Sequence, residues 1–219
     1  MDSTQRVAQI YATGARLFSQ YGYHGTTIRQ MAAALDLQGG SLYAHIHAKE
    51  DVLWGIVTHA ADEFFAAVTP IAQGDLPPAE KLRAVLRAHI GVVASNLDAA
   101  TVYFHDWKFL SPERRDAIRA RRDEYESLFR AIVAEGVRTG AFRPLDDKFA
   151  ALLVLSVGNW LYQWYRADGP LTPDEVADRF ADLILAGLMA PDSTAKDAEG
   201  AEGNKYLLSA PLASSAVRR

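Results

Sequence analysis

The densest group of side chains able to hold a small molecule is the run Gly158-Asn159-Trp160-Leu161-Tyr162-Gln163-Trp164-Tyr165-Arg166, followed by Gly169-Pro170-Leu171-Thr172. A helix through it sets Trp160 and Trp164 one turn apart, with Asn159, Tyr162, Gln163 and Arg166 bringing hydrogen-bonding groups beside them. An aromatic wall with a few polar groups suits a mostly apolar ligand; the same tryptophans could instead pack a core or a seam between two copies. Candidate partners lie upstream: His89 on an otherwise apolar face, then Tyr103, Phe104 and Trp107, then Arg121, Arg122 and Tyr125. The histidine also has a plainer reading, as a satisfied core residue. Arg114, Arg115, Arg119, Arg121 and Arg122 form the densest basic run, five arginines in nine residues. Guanidinium pairs bidentately with phosphate, so the run could hold a nucleotide phosphate; equally, Glu113, Asp116, Asp123 and Glu124 make it a self-balanced solvated face.

Catalysis finds no such constellation. His59 and Glu63 share a helix face without a third ligand to complete a metal site, and His45 and His47 are two apart, pointing to different sides if helical. No phosphate-cradling glycine loop, nucleophile elbow or kinase-type pattern occurs. The lack of cysteine excludes disulfides, thiolate zinc sites and iron–sulfur clusters, and fits a reducing cytoplasm. The expectation is a binding protein with no catalytic residues, no metal and no cofactor. Its 219 residues are 49% hydrophobic, enough to bury a real core, and carry a formal charge of -4. That balance argues against coating nucleic acid or anionic lipid by bulk charge, so any nucleic-acid contact must be local. The most apolar stretch, Phe149 to Tyr165, is interrupted by polar residues and falls short of the roughly 20 residues of a membrane span. Met1 to Ile10 has no apolar run of the signal-peptide kind, so no membrane partner is expected.

Helices must position these groups, because apolar residues recur at three- and four-residue spacing almost throughout and alternating strand patterns are nearly absent. The class is all-α, with about nine helices. The first carries Val7, Ile10, Tyr11, Ala15 and Phe18 on one face and ends near Gly22. Thr26 or Thr27 caps a second through about Ala34, Asp36 and Leu37 make a tight turn, and a third runs from about Gln38 to His45. A longer helix from Lys49 turns Val52, Leu53, Ile56, Val57, Ala60, Phe64 and Val68 inward until Pro70 to Pro78. Next come a helix marked by Leu82, Val85, Leu86, His89, Ile90 and Val93, and another from Thr101 to Leu110. The seventh, capped by Ser111, holds Ile118, Tyr125, Phe129 and Ile132 and stops around Gly140. The eighth covers Asp147 to about Ala167. The ninth, capped by Thr172, carries Val176, Phe180, Leu183, Ile184 and Leu188. This gives a unit of short helices over 1–48, read below as a DNA-binding domain, a larger helical domain over 49–190, and a mostly disordered tail over 191–219 whose apolar anchor is Tyr206-Leu207-Leu208.

Three short helices with a tight turn between the second and third make a helix-turn-helix, whose third helix can enter the major groove. Thr26-Thr27-Ile28, Met31-Ala32-Ala33, Gly39-Gly40-Ser41-Leu42-Tyr43-Ala44-His45-Ile46 and Lys49-Glu50 resemble the DNA-binding segment of the TetR family of bacterial transcriptional regulators, over about the first fifty residues. Ala32 and Ala33 are small enough for a close helix crossing, and Leu37 and Leu42 would plug the core beneath the turn. Asp36 stands where such proteins commonly have Gly, and Asp tolerates the left-handed backbone region better than most residues. Thr27, at a helix N-terminus, can donate to a phosphate. Gln38 and Ser41 can reach base edges, with Gly39 and Gly40 permitting close approach. The resemblance implies that Tyr43, His45 and Lys49 contact backbone phosphate. Ala44 and Ile46 replace aromatic residues often seen in the family. Residues 1–50 carry a net charge of only +1, so useful affinity needs two copies on a palindromic duplex.

The tryptophan-bearing segment in turn resembles the C-terminal region of TetR-like regulators that control fatty-acid, phenylacetate or steroid breakdown and respond to acyl-CoA thioesters. Together the two resemblances imply a cytoplasmic, nucleoid-associated homodimeric repressor. It would leave its double-stranded operator on binding a small hydrophobic effector such as an acyl-CoA, with the dimer seam on the last two helices. Two alternatives remain at this level: a regulator of the same type sensing a free aromatic or drug-like compound, and a helical enzyme or ligand carrier whose helix-turn-helix is only structural.

Overall fold

Apolar periodicity leaves this chain little choice but helix, and the computed structural model, which describes residues 3–37, 42–44 and 46–190, is built of helices. Among the described residues there are eight α-helices: α1 Ser3–Gly25, α2 Ile28–Ala34, α3 Lys49–Ala72, α4 Pro78–Ser95, α5 Leu97–Thr101, α6 Pro112–Thr139, α7 Asp147–Asn159 and α8 Pro173–Leu188. Extended pairing among them is limited to one isolated antiparallel bridge, Phe142 with Met189. Most of the third expected helix, Gln38 to His45, and the whole 191–219 tail lie outside the described residues.

Local chemistry sets the helix ends. Thr27 caps α2 in a reciprocal box: its hydroxyl accepts from the Gln30 N–H at 3.2 Å, and Gln30 Oε1 accepts from the Thr27 N–H at 2.7 Å. Thr172 and Glu175 repeat the device at α8. Asp36 adopts a φ of 53°, the left-handed turn that its side chain tolerates. Gly140, at φ 78°, ends α6 in a conformation a Cβ would strain. α3 runs past Pro70 to Ala72, because a proline in the last turn forfeits little of the helix ladder. Ser111 makes no side-chain cap; its backbone N–H instead donates to Glu50 Oε1 at 2.9 Å.

Two spans depart from the sequence expectation. Thr101 to Leu110 is not a continuous α-helix: α5 passes into a π-helical turn, Val102–Asp106, and then a 3-10 turn, Trp107–Phe109. The wider turn buries Val102, Tyr103 and Asp106 together. α7 stops at Asn159 rather than near Ala167, and a 3-10 turn, Leu161–Gln163, follows. Leu161 and Tyr165 are the pair that turn inward, which leaves Trp160 61% and Trp164 44% exposed.

The core centres on α4, which packs against α3, α6, α7 and α8 and buries Leu82, Val85, Leu86, Ile90 and Val93. Lys81, itself buried, reaches Glu135 of α6 at 2.8 Å, and Arg87 Nε reaches Asp178 of α8 at 2.8 Å. At the N-terminal end Ile10, Ala15 and Phe18 of α1 join Val52 and Ile56 of α3 in one hydrophobic cluster that also takes in Met31, Ala32, Leu42 and Ile46. Ala33 points to solvent, so the close crossing is served by Ala32 alone, and Leu37 is half-buried. Residues up to Met189 form one compact unit. No helix among the described residues is long and apolar enough to cross a membrane.

Candidate functional site

The N-terminal end presents an exposed polar surface held from beneath. Thr26 is buried and donates to the carbonyls of Leu17 at 3.1 Å and Gly22 at 3.0 Å, which fixes its neighbour Thr27 at the solvent-facing start of α2. Tyr43 is 52% exposed, whereas Ile46 is buried in the core and is unavailable for packing in a groove. Lys49 is partly committed to the fold. Its ammonium donates to the carbonyls of Tyr23 at 2.7 Å and Thr26 at 2.9 Å, lies 4.3 Å from the Tyr23 ring centre, and has its pKa lowered by burial. One of its three hydrogens is left for a phosphate. Gln38, Gly39, Gly40, Ser41 and His45 lie outside the described residues.

The start of α3 is clamped from the other side. Arg114 reaches Asp51 at 2.8 Å and Glu50 at 3.4 Å, while Asp51 also accepts from the Ala48 N–H at 2.9 Å. The Ser111 N–H holds the Glu50 carboxyl below the usual range, and the Arg114 guanidinium does the same for Asp51. Just before this clamp, Phe109 stacks on Tyr23 with ring centres 5.7 Å apart and meets His24 edge-on at 4.5 Å. The segment between Val102 and Ser111 therefore touches both the end of α1 and the start of α3.

Behind that segment lies a cavity of about 170 Å³ between α3, α4, the π turn, α6 and α7. His89, fully buried on α4, stacks on Phe64 at 4.9 Å and places Nδ1 3.0 Å from the Tyr125 hydroxyl. α7 can approach it only through Gly158, where a Cβ would fall 2.3 Å from His89 Cδ2. Burial pushes the imidazole down to about 4, opposed by the Asn159 side chain nearby, so the ring is neutral at ordinary pH. Its Nε2 has no hydrogen-bond partner. Burial also raises the hydroxyl pKa of Tyr125 and of Tyr103, so both stay protonated. Arg122 lies with its guanidinium carbon 5.2 Å from the Trp107 ring centre, 5.4 Å from Tyr103 and 5.9 Å from Phe104. Its Nη1 is buried without a hydrogen-bond partner, and among the described residues no carboxylate comes within ion-pair distance of it.

Of the residues proposed for a ligand, the cavity brings together His89, Tyr103, Phe104, Arg122, Tyr125 and Asn159; Trp107 does not line it but lies against Arg122. Arg121 turns away, pairing with Asp62 at 2.7 Å. The arginine run is thus divided: Arg114, Arg119 and Arg121 each answer a different carboxylate, and Arg122 alone of these faces the cavity. Trp160, Gln163 and Trp164 do not line it, because the chain leaves the α-helix at Asn159; Trp164 packs edge-on against Phe180 at 6.2 Å. Sequence reasoning missed Phe64 as a wall, although its inward place on α3 was legible, and missed Leu155, Ser156, Asp123 and Glu126, which carry no local signal. A second, more apolar recess of about 320 Å³ lies between α1, α3 and α5, beside Tyr11, Ile56 and Ala99, and holds no buried unpartnered polar atom. Among the described residues no cluster of three or more His, Asp or Glu could hold a metal ion.

The N-terminal helices thus lead into a larger helical body that holds a polar-edged cavity. The family model described as bacterial regulatory proteins, tetR family, matches residues 10–53, and that described as tetracyclin repressor-like, C-terminal domain, matches residues 75–188. The chain belongs to the TetR family of bacterial regulatory proteins, which are regulators and not enzymes. It is 28% identical to the HTH-type transcriptional repressor KstR2 of Rhodococcus jostii (strain RHA1) over 188 residues, 85% of this chain and 92% of that protein. Its fold is similar to the TetR family regulator PfmR from Thermus thermophilus, with a TM-score of 0.76 and 37% identity over 81% of this chain and 97% of that one. It is also similar to AibR, solved in complex with isovaleryl coenzyme A and operator DNA, with a TM-score of 0.75 and 31% identity over 81% and 97% of the two chains.

Proposed function

We propose that the protein is a transcriptional repressor that binds a palindromic double-stranded operator as a homodimer and leaves it when a small effector, an acyl-CoA thioester, enters the cavity. The observation that carries this reading is the cavity itself, with two buried unpartnered polar atoms, set behind the segment whose Phe109 stacks on the end of α1. The repressor name of KstR2 and the isovaleryl coenzyme A and operator DNA in the AibR complex support it. In this reading residues 1–48 are the DNA head and 49–190 the sensing and dimerising body. Gln38 and Ser41 read base edges, Gly39 and Gly40 allow close approach, and Thr27, Tyr43, His45 and the free hydrogen of Lys49 meet phosphates. The dimer seam is the outer face of α7 and α8, where Phe149 and Leu183 are each 73% exposed, an apolar face that a second copy would cover. The protein acts in the cytoplasm.

The mechanism is a population shift. Ligand in the cavity presses on Tyr103 and Phe104, and on Trp107 through Arg122, and the displacement reaches the head through Phe109 and through the Arg114 clamp on α3. A ligand preferring the released conformer by about 3 kcal/mol changes operator affinity roughly a hundredfold. The test is selection of a binding site from random duplex DNA, followed by mobility shifts with a panel of acyl-CoA thioesters. Selection of a palindrome that one thioester releases is the expected result; a verified dimer that selects no sequence at low salt would overturn the reading.

A further inference from the structure

Resting on that reading, we infer that the cavity takes a compact acyl group, about six carbons or a single ring, whose carboxyl or thioester oxygens are held by Arg122 and His89. Three observations carry it. The volume of about 170 Å³ is close to the roughly 150 Å³ of an engineered apolar cavity that binds benzene. The cavity is open at its rim, so this volume sizes the group that can be enclosed, and fused rings or a long acyl chain would have to protrude from it. The walls supply apolar contact on several sides from Phe64, Phe104 and Leu155, which suits the hydrocarbon part.

The polar part follows from the two unpartnered atoms. Arg122 carries a buried donor, Nη1, with aromatic rings beside it; Asp123 and Glu126 also line the cavity, but among the described residues neither pairs with Arg122, so the donor calls for an oxygen acceptor bearing negative or partial negative charge. His89 is buried, neutral and fixed by Tyr125 at Nδ1, which leaves Nε2 as a second hydrogen-bonding point. When Tyr125 donates to Nδ1, the proton of the neutral ring resides on Nε2 and can be given to a carbonyl oxygen. A free carboxylate and a thioester share this oxygen chemistry. In the thioester, the remainder of the coenzyme would extend out past the rim, where Ser156 and Leu152 are exposed.

The experiment uses the full chain and reads Trp107-containing fluorescence and titration calorimetry together. Its ligands are 3-methylbutanoate, benzoate, their CoA thioesters, the matched neutral amides, and dodecanoyl-CoA. The expected result is binding of a short acid or its thioester at least tenfold tighter than its amide and tenfold tighter than dodecanoyl-CoA. Free acids binding as tightly as thioesters would identify the acid as the source, and tighter thioesters the coenzyme adduct. Arg122→Gln, whose fold is checked by its melting midpoint, is expected to weaken the preferred ligand at least tenfold. Leu155→Phe, which fills the cavity from another wall, should exclude the six-carbon and ring ligands. Equal binding of amide and acid, dodecanoyl-CoA as the tightest ligand, or an unchanged Arg122→Gln affinity would overturn the inference. So would a protein that selects a palindrome yet binds none of the short ligands, which leaves the repressor reading standing. Tight binding of a short acid by a protein that selects no DNA would do the reverse.

Discussion

His89 makes the interior sensitive to acid. Its pKa falls from 6.5 to about 4 because the charged ring would be buried among Phe64, Phe104, Tyr125 and Phe129. Below 6.5 the unfolded chain takes up a proton that the folded one refuses. The neutral ring's contribution is therefore intact above about 6.5 and is lost as pH falls to about 4, amounting in full to about 3 kcal/mol. Urea unfolding at pH 7 and pH 5 should show about 2 kcal/mol of this loss in the parent chain and a shallower dependence in His89→Asn. Gly158 is the counterpart on α7: Gly158→Ala sets a methyl against the imidazole and should destabilise by about 1–3 kcal/mol in the same assay. Lys49 carries a different lesson, because Lys49→Ala removes two hydrogen bonds that tie α3 to the end of α1 and to the turn after it, and should cost about 1–2 kcal/mol of stability whatever it does to DNA. Tyr43→Ala, at an exposed position, should leave the melting midpoint unchanged and so reads operator contact alone. That Lys49 is a hydrogen-bond donor was legible in the sequence; its carbonyl partners, more than twenty residues away, were not.

At the scale of elements, what could be read in advance was what local chemistry decides. Thr27 with Gln30, Thr172 with Glu175, and Gly140 end helices through contacts within one turn. The stretch after Asn159 was not legible, because Trp160/Trp164 and Leu161/Tyr165 have the same spacing and only the surrounding helices decide which pair is covered. Heavier side chains suggested the tryptophans; packing chose Leu161 and Tyr165. The π turn at Val102–Asp106 was equally hidden, since a one-residue widening leaves the apolar pattern nearly intact. Likewise, the acidic first turn of α3 reads as ordinary helix-end chemistry until Arg114 is found across it. A double-mutant cycle between Arg114→Ala and Asp51→Ala should return a coupling of about 1 kcal/mol that shrinks in salt, measured by denaturant unfolding.

For the whole molecule, the proposed function assigns assembly to the apolar outer face of α7 and α8. Leu153 and Leu183 are 51% and 73% exposed, so charge there should cost the single chain little and a pair of chains much. Leu153→Glu combined with Leu183→Glu is expected to sediment as a folded monomer and to bind operator more than tenfold more weakly. The all-helical class and the family were both legible, since periodicity and the resemblance of the first fifty residues cover them; which side chains meet in the middle was not. One consequence of the segment between Tyr103 and Phe109 reaches furthest. Tyr103 and Phe104 wall the cavity and Phe109, a few residues on, leans on the last turn of α1, so in the proposed mechanism the message between the two ends travels along a wire with almost no slack. A single glycine inserted between Lys108 and Phe109 should cut that wire while sparing both terminals: the protein would still grip its operator and still take up its effector, but each would be deaf to the other.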